Sequence, residues 1–223
     1  MSKEVKLIEC FRSFQGEGPD SGRTMYILRF KNCNLRCPWC DTQVKMRISA
    51  EAPYKIEYLQ DLITRDRAGI LVTGGEPTVP KHFEEALWLL NLLNYPVANV
   101  ESNGFNLLEL VQQTAGSKPV KFMYSPKIFT FTDLKQVIKT SEPLLDHHNV
   151  YFKIVFEDSD HIKAYCEWLH RSTEGRRAAE RIWLMPEGVT RADLIRNSEK
   201  VFDACEKYKF NFSSRNHLIY GFV

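Results

Sequence analysis

The sequence predicts an α/β fold whose parallel sheet curls into an open partial barrel, a (β/α)6-type arrangement with about six strands from Thr24 onward, fewer than a closed eightfold barrel needs. Three observations carry this. Strand-like and helix-like patterns alternate along the chain. The polar and glycine-rich pieces each follow the C-terminal end of a predicted strand, the edge on which ligands bind in such sheets. No repeat, low-complexity tract or linker divides the 223 residues, so residues 1–223 are expected to form a single domain with a short N-terminal extension.

Residues 5–10 form an apolar-rich run expected as a strand, which leads into Phe14-Gln15-Gly16-Glu17-Gly18-Pro19-Asp20-Ser21-Gly22. So much glycine around amide and charged side chains implies sharp bends or close approach to a ligand, with a plain hairpin as the alternative. Residues 24–30 are rich in strand-favouring side chains, with Arg29 near the end. Ile56, Leu59, Leu62 and Ile63 recur at helical spacing over residues 56–67, and residues 69–73 are a short apolar strand running into Gly74-Gly75-Glu76-Pro77. Residues 80–94 read as a helix, with Pro80 near its start and Phe83, Ala86, Leu87, Leu90 and Leu93 on one core-facing stripe. A strand at 97–100 meets Glu101-Ser102-Asn103-Gly104, a helix spans 107–113, and a strand at 121–124 closes on Ser125-Pro126-Lys127. Helices follow at 132–139, 158–170 and 190–208, the last opened by Thr190. Strands are expected at 150–156, containing Lys153, at 182–185, and finally at 218–222.

Hydrophobic residues at 43% and aromatics at 12% are ordinary for a globular protein, and a net charge of +2 lacks the basic footprint of a nucleic-acid binder. No apolar run is long enough to cross a bilayer, and the opening Met1-Ser2-Lys3-Glu4-Val5-Lys6 lacks the apolar stretch of a secretory signal. A cytoplasmic enzyme, with neither membrane nor nucleic acid as partner, is the expectation. That compartment keeps thiols reduced, which argues against a disulfide framework. Cys10, Cys166 and Cys205 stand singly in apolar surroundings, as buried small hydrophobes do.

The chemistry concentrates in Cys33-Asn34-Leu35-Arg36-Cys37-Pro38-Trp39-Cys40-Asp41-Thr42, where three of the six cysteines fall within eight residues. Such crowding points to a soft metal or an iron–sulfur cluster. A 4Fe-4S cluster on three thiolates keeps one iron without a protein ligand, available to another molecule. Zinc stays open on spacing alone, although it would want a fourth ligand nearby and His82 is far along the chain. A zinc-stabilised binding protein without catalysis is therefore one alternative.

These motifs, in this order, resemble the radical S-adenosylmethionine (SAM) enzymes, and within them the 7-carboxy-7-deazaguanine synthase family. The cysteine loop with Gly74-Gly75-Glu76-Pro77 resembles the superfamily; Gln15-Gly16-Glu17-Gly18 and Asp41-Thr42 are similar to this family in particular. The resemblance extends through Lys153 and Met185-Pro186-Glu187-Gly188. It implies a lyase that converts 6-carboxy-5,6,7,8-tetrahydropterin to 7-carboxy-7-deazaguanine with loss of ammonia, as in queuosine-type biosynthesis. The implied cofactors are a 4Fe-4S cluster on Cys33, Cys37 and Cys40, SAM, and Mg2+ at Thr42. By the same resemblance Trp39, Cys40, Asp41, Gly75, Glu76, Ser125, Pro126 and Lys127 hold SAM, while Phe14, Gln15, Gly16, Arg29 and Thr73 hold the pterin. Missing side chains at Gly74 and Gly75 would let main chain approach SAM. Glu76 would orient the SAM amino group and Glu17 would brace the glycine loop through backbone hydrogen bonds, while a bland alternative has Asp41 or Thr42 merely capping a helix. The implied partners are a flavodoxin or ferredoxin as electron donor and a second copy in a homodimer. Thr78-Val79-Pro80 and Asn32 depart from the family pattern, and residues 217–223 do not align securely. Their terminal carboxylate is a candidate for closing the pocket. The nearest rival is a glycyl-radical-activating enzyme, which shares the cysteine spacing and acts on a partner protein.

Overall fold

A computed structural model describes residues 3–38 and 40–222. The chain forms two compact units: residues 1–15 with 22–123, and residues 16–21 with 124–223.

The first unit holds β1 (Glu4–Leu7), β2 (Glu9–Phe14), β3 (Thr24–Phe30), α1 (Gln43–Ile48), β4 (Ala52–Lys55), α2 (Ile56–Asp66), β5 (Gly69–Gly74), α3 (Phe83–Leu92), β6 (Ala98–Ser102), α4 (Leu107–Gln113) and β7 (Val120–Tyr124). Its sheet order is β2-β3-β5-β6-β7. β2 runs antiparallel to β3, whereas β3, β5 and β6 are mutually parallel, with Arg29 opposite Thr73 and Leu71 opposite Asn99. The parallel strands are near-continuous apolar runs because both faces are buried. On one face Met25, Ile27, Leu71 and Val97 pack together with Phe11 against them. Arg29, Thr73, Glu9 and Asn99 share that face, since alternate residues of a strand project to the same side. Thus the core face turns polar at the C-terminal ends of its parallel strands.

The second unit holds α5 (Phe131–Leu145), β8 (Val150–Phe156), α6 (Asp160–Arg171), α7 (Thr173–Arg177), β9 (Ile182–Pro186), α8 (Arg191–Tyr208), β10 (Asn211–Phe212) and α9 (Asn216–Tyr220). β8, β9 and β10 pair in parallel. Thr190 opens α8 by accepting the Asp193 N–H at 3.1 Å, and Thr130 does the same for α5 with Asp133 at 3.2 Å.

Three expectations change. The run at 5–10 breaks into β1 and β2, and β1 pairs with β4, a strand that the local pattern did not announce. α5 continues past residue 139 through Pro143, because Leu144 and Leu145 are buried and hold the last turn. The tail at 218–222 is not a strand. Ile219 N–H donates to the Arg215 carbonyl at 3.1 Å, and Gly221 at φ +70° ends a single helical turn in the left-handed region. Among the described residues no helix is long and apolar enough to cross a membrane.

Candidate active site

β3 hands the chain to the cysteine loop, and the glycine loop after β5 fastens onto that exit. Gly75 N–H donates to the Phe30 carbonyl at 3.0 Å and Glu76 N–H to the Asn32 carbonyl at 2.7 Å. Gly74 has φ +140°, and a Cβ there would strike the Phe30 backbone; a Cβ at Gly75 would strike the Asn32 carbonyl. The expected reason for these glycines was approach to SAM. In the structure their open space is taken by the chain's own entry to Cys33. Gly75→Ala should therefore push residues 30–33 away, at a cost of about 1–3 kcal/mol. Thermal unfolding, with iron bound per chain after reconstitution, checks this.

Cys37 is buried, and Cys33 and Cys40 are half-buried. Leu35 N–H donates to Cys33 Sγ at 3.4 Å, Cys40 N–H closes a turn on the Cys37 carbonyl at 3.2 Å, and Thr42 Oγ1 lies 3.4 Å from Cys40 Sγ. Thr42 occupies the N-cap position of α1, yet its side chain makes no capping hydrogen bond, so the bland alternative does not describe its hydroxyl. Asp41 is exposed, and Trp39 lies outside the described residues. Among the described residues no three His, Cys, Asp or Glu side chains converge on a point fit for one metal ion. A four-iron cluster asks for no such convergence, because each thiolate takes a different iron. Three soft sulfurs in one loop, two of them already beside hydrogen-bond donors, fit that group in their donor chemistry.

Glu76 is 1% exposed. Its Oε1 accepts from the Thr78 N–H (3.1 Å), the Thr78 hydroxyl (2.7 Å) and the Ser102 hydroxyl (2.8 Å), and its Oε2 from the Asn103 N–H (2.6 Å). Burial pushes its carboxyl up, and these hydrogen bonds act against the rise. Glu76 thus ties the exit of β6 to the glycine loop. Thr78, a departure from the family pattern, supplies two of the four donors. The tie continues outward, since Asn103 Nδ2 donates to Asn34 Oδ1 at 2.9 Å and lies 3.9 Å from Cys33 Sγ.

Among the pterin-binding candidates, the register sets Arg29 beside Thr73. Arg29 Nε donates to Glu9 Oε2 at 2.5 Å, and Lys45 Nζ holds the other oxygen at 2.8 Å. Burial would raise the Glu9 carboxyl, but Lys45 and Arg29 outweigh it and hold the group below its ordinary value. Gln15 is buried and its Nε2 donates to Asn99 Oδ1 at 3.1 Å, so one side of its amide is committed within the protein; Phe14 is about half exposed. Asn99 and Glu9 were not legible as site residues, because each acts through a partner on another strand.

In the second unit, Lys127 Nζ donates to Ser125 Oγ at 2.7 Å beside buried Pro126. The carboxylate of Glu17 takes Lys153 on Oε2 and the Arg215 Nε on Oε1 at 3.0 Å, with His217 Nε2 at 3.9 Å. Glu17 therefore braces its loop through ion pairs rather than backbone hydrogen bonds alone. Gly18 N–H donates to Ser213 Oγ at 2.9 Å, Asn216 N–H to the Gly16 carbonyl at 2.9 Å, and a Cβ at Gly16 would strike the His217 ring. The tail that sequence could not align is thus fastened to residues 16–21.

The sequence profile of the Radical SAM superfamily matches residues 27–150. The chain is 27% identical to the 7-carboxy-7-deazaguanine synthase of Hyperthermus butylicus, over 96% of this chain and 92% of that one. It is 31% identical to the synthase of Thermoplasma acidophilum, over 76% and 78% respectively. The crystal structure of QueE from Escherichia coli superposes with a TM-score of 0.63 at 21% identity, over 96% of this chain and 95% of that one, a likeness of fold. With the three-cysteine loop and the glycine loop in place, these matches mean that the chain belongs to the radical SAM superfamily and, within it, to the 7-carboxy-7-deazaguanine synthase family.

Proposed function

We propose that this enzyme converts 6-carboxy-5,6,7,8-tetrahydropterin to 7-carboxy-7-deazaguanine with release of ammonia. The observation that carries this reading is the pairing of Arg29 with Thr73 on a half-buried polar edge, with Glu9 fixing the guanidinium. A guanidinium so held offers its Nη side to a substrate carboxylate in two parallel bonds, and Thr73 supplies a hydroxyl alongside. Gln15, oriented by Asn99, meets the pterin edge, flanked by Phe14 and the backbone of Gly16.

Cys33, Cys37 and Cys40 hold the cluster; SAM contacts Cys40, Asp41, Gly75, Glu76, Ser125, Pro126 and Lys127, with Trp39 assigned by its place in the motif. Mg2+ takes the Thr42 oxygen, a hard ligand suited to it. When bound, the cluster and SAM supply the electron transfer and hydrogen-atom abstraction that begin the rearrangement; the protein supplies placement. A flavodoxin or ferredoxin serves as electron donor, and the enzyme works as a homodimer.

The test is incubation of anaerobically reconstituted protein with SAM, Mg2+, a reductant and carboxytetrahydropterin. Deazaguanine product and 5'-deoxyadenosine are expected together. Cleavage of SAM without product would transfer the assignment to an activator of a partner protein.

A further inference from the structure

Two side chains other than the cysteines stand against the sulfurs of the loop. Thr42 Oγ1 lies 3.4 Å from Cys40 Sγ, and Asn103 Nδ2 lies 3.9 Å from Cys33 Sγ. In the thiol form either atom of the first pair can donate. A cluster-bound cysteine has lost its proton, so the hydroxyl of Thr42 is then the only donor in that pair. Thr42 also makes no capping bond, so its oxygen is not held by the first backbone N–H groups of α1.

Asn103 is held for a similar task. Its backbone N–H is fixed by buried Glu76 at 2.6 Å, its Oδ1 accepts the Phe105 N–H at 3.2 Å, and its Nδ2 is aimed at Asn34 and Cys33. These bonds orient the amide so that its donor end faces the cysteine loop. The longer contact and the competing Asn34 acceptor make it the weaker of the two.

We propose that Thr42, and to a smaller extent Asn103, donate hydrogen bonds to the Cys40 and Cys33 thiolates and thereby raise the reduction potential of the cluster. The physical reason is that reduction adds negative charge to the cluster and its sulfurs, so a donor binds the reduced form more strongly. This rests on the cluster reading of the cysteine loop. It is compatible with Mg2+ at Thr42, because a hydroxyl has one donor hydrogen and two acceptor lone pairs.

The experiment is an EPR-monitored potentiometric titration, without SAM and in magnesium-free buffer, of the wild type, Thr42→Val, Thr42→Ser and Asn103→Ala. At a fixed potential the reduced-to-oxidised ratio should fall about threefold in Thr42→Val, a fraction of one hydrogen bond's worth. Thr42→Ser should match the wild type, and Asn103→Ala should shift in the same direction by less. EPR sees only loaded clusters, so poor assembly in a variant does not blunt the readout. An unchanged potential in Thr42→Val overturns the proposal, as does an equal shift in Thr42→Ser. A shift that appears only after Mg2+ is added assigns the effect to the cation and also overturns it. A wild type that forms no four-iron cluster fails at an earlier step and takes the proposed function with it.

Discussion

Cys37→Ala is expected to abolish reductive formation of 5'-deoxyadenosine and to lower the iron retained per chain. Cys37 is the most buried of the three loop thiols, at 8% exposure, and its carbonyl anchors the turn that carries Cys40. Removing it leaves two protein ligands for four irons. Changes to groups that merely support metal ligands cost roughly 10- to 100-fold, so loss of a ligand itself should exceed about 100-fold. Cys10→Ala is the control. Burial pushes the Cys10 thiol up to about 11, and it lies on β2 outside the loop, so its removal should leave iron content and SAM cleavage unchanged. If Cys37→Ala still yields 5'-deoxyadenosine at the wild-type rate, the cysteine loop does not hold the reactive cluster.

Much of the site was legible because its parts are local. Three cysteines in one loop, two glycines after an apolar run and a Gln-Gly-Glu-Gly segment each announce themselves within a few residues. Zinc remained open on the loop alone; family membership, not spacing, closes that question. What sequence hid are the links between segments. Glu76 meets Ser102 and Asn103 across 26 and 27 positions, and Glu17 meets Lys153 and Arg215 across 136 and 198. No periodicity encodes such pairs, since helix and strand patterns report only which side of one element is buried. The misread tail has the same origin. Residues 218–222 carry enough apolar side chains to suggest a strand, but Arg215 anchors a helical turn before them and the left-handed Gly221 ends that turn within them. The glycine loop was located correctly and explained incompletely, because the Asn32 carbonyl against Gly75 belongs to a neighbouring strand exit.

Glu17→Gln should be the most destabilising single charge change in the second unit, at about 3–5 kcal/mol. The substitution keeps shape and an acceptor oxygen, but it leaves Lys153, 3% exposed, and Arg215, 12% exposed, on a neutral amide. Two nearly dry cations then lack the charge that offset their desolvation. Lys153→Met added to Glu17→Gln should recover a large part of the loss, because it removes the more buried of the two stranded cations. The pH dependence has a definite sign. Burial pushes the Glu17 carboxyl up, yet Lys153, Arg215 and His217 together outweigh it, so its folded-state pKa lies well below the ordinary 4.5. A carboxylate depressed on folding contributes its full stability above the unfolded-state value and loses it as pH falls below that value toward the folded-state one. Wild-type stability should therefore drop on acidification from about pH 5 downward more steeply than that of Glu17→Gln, in which this group no longer titrates. Urea unfolding midpoints measured at intervals from pH 7 to the acid limit of folding compare the two slopes. Parallel slopes, or a loss at pH 7 below about 1 kcal/mol, the range of an exposed pair, would mean that water reaches this carboxylate and that Glu17 does not bind the tail to its loop by charge.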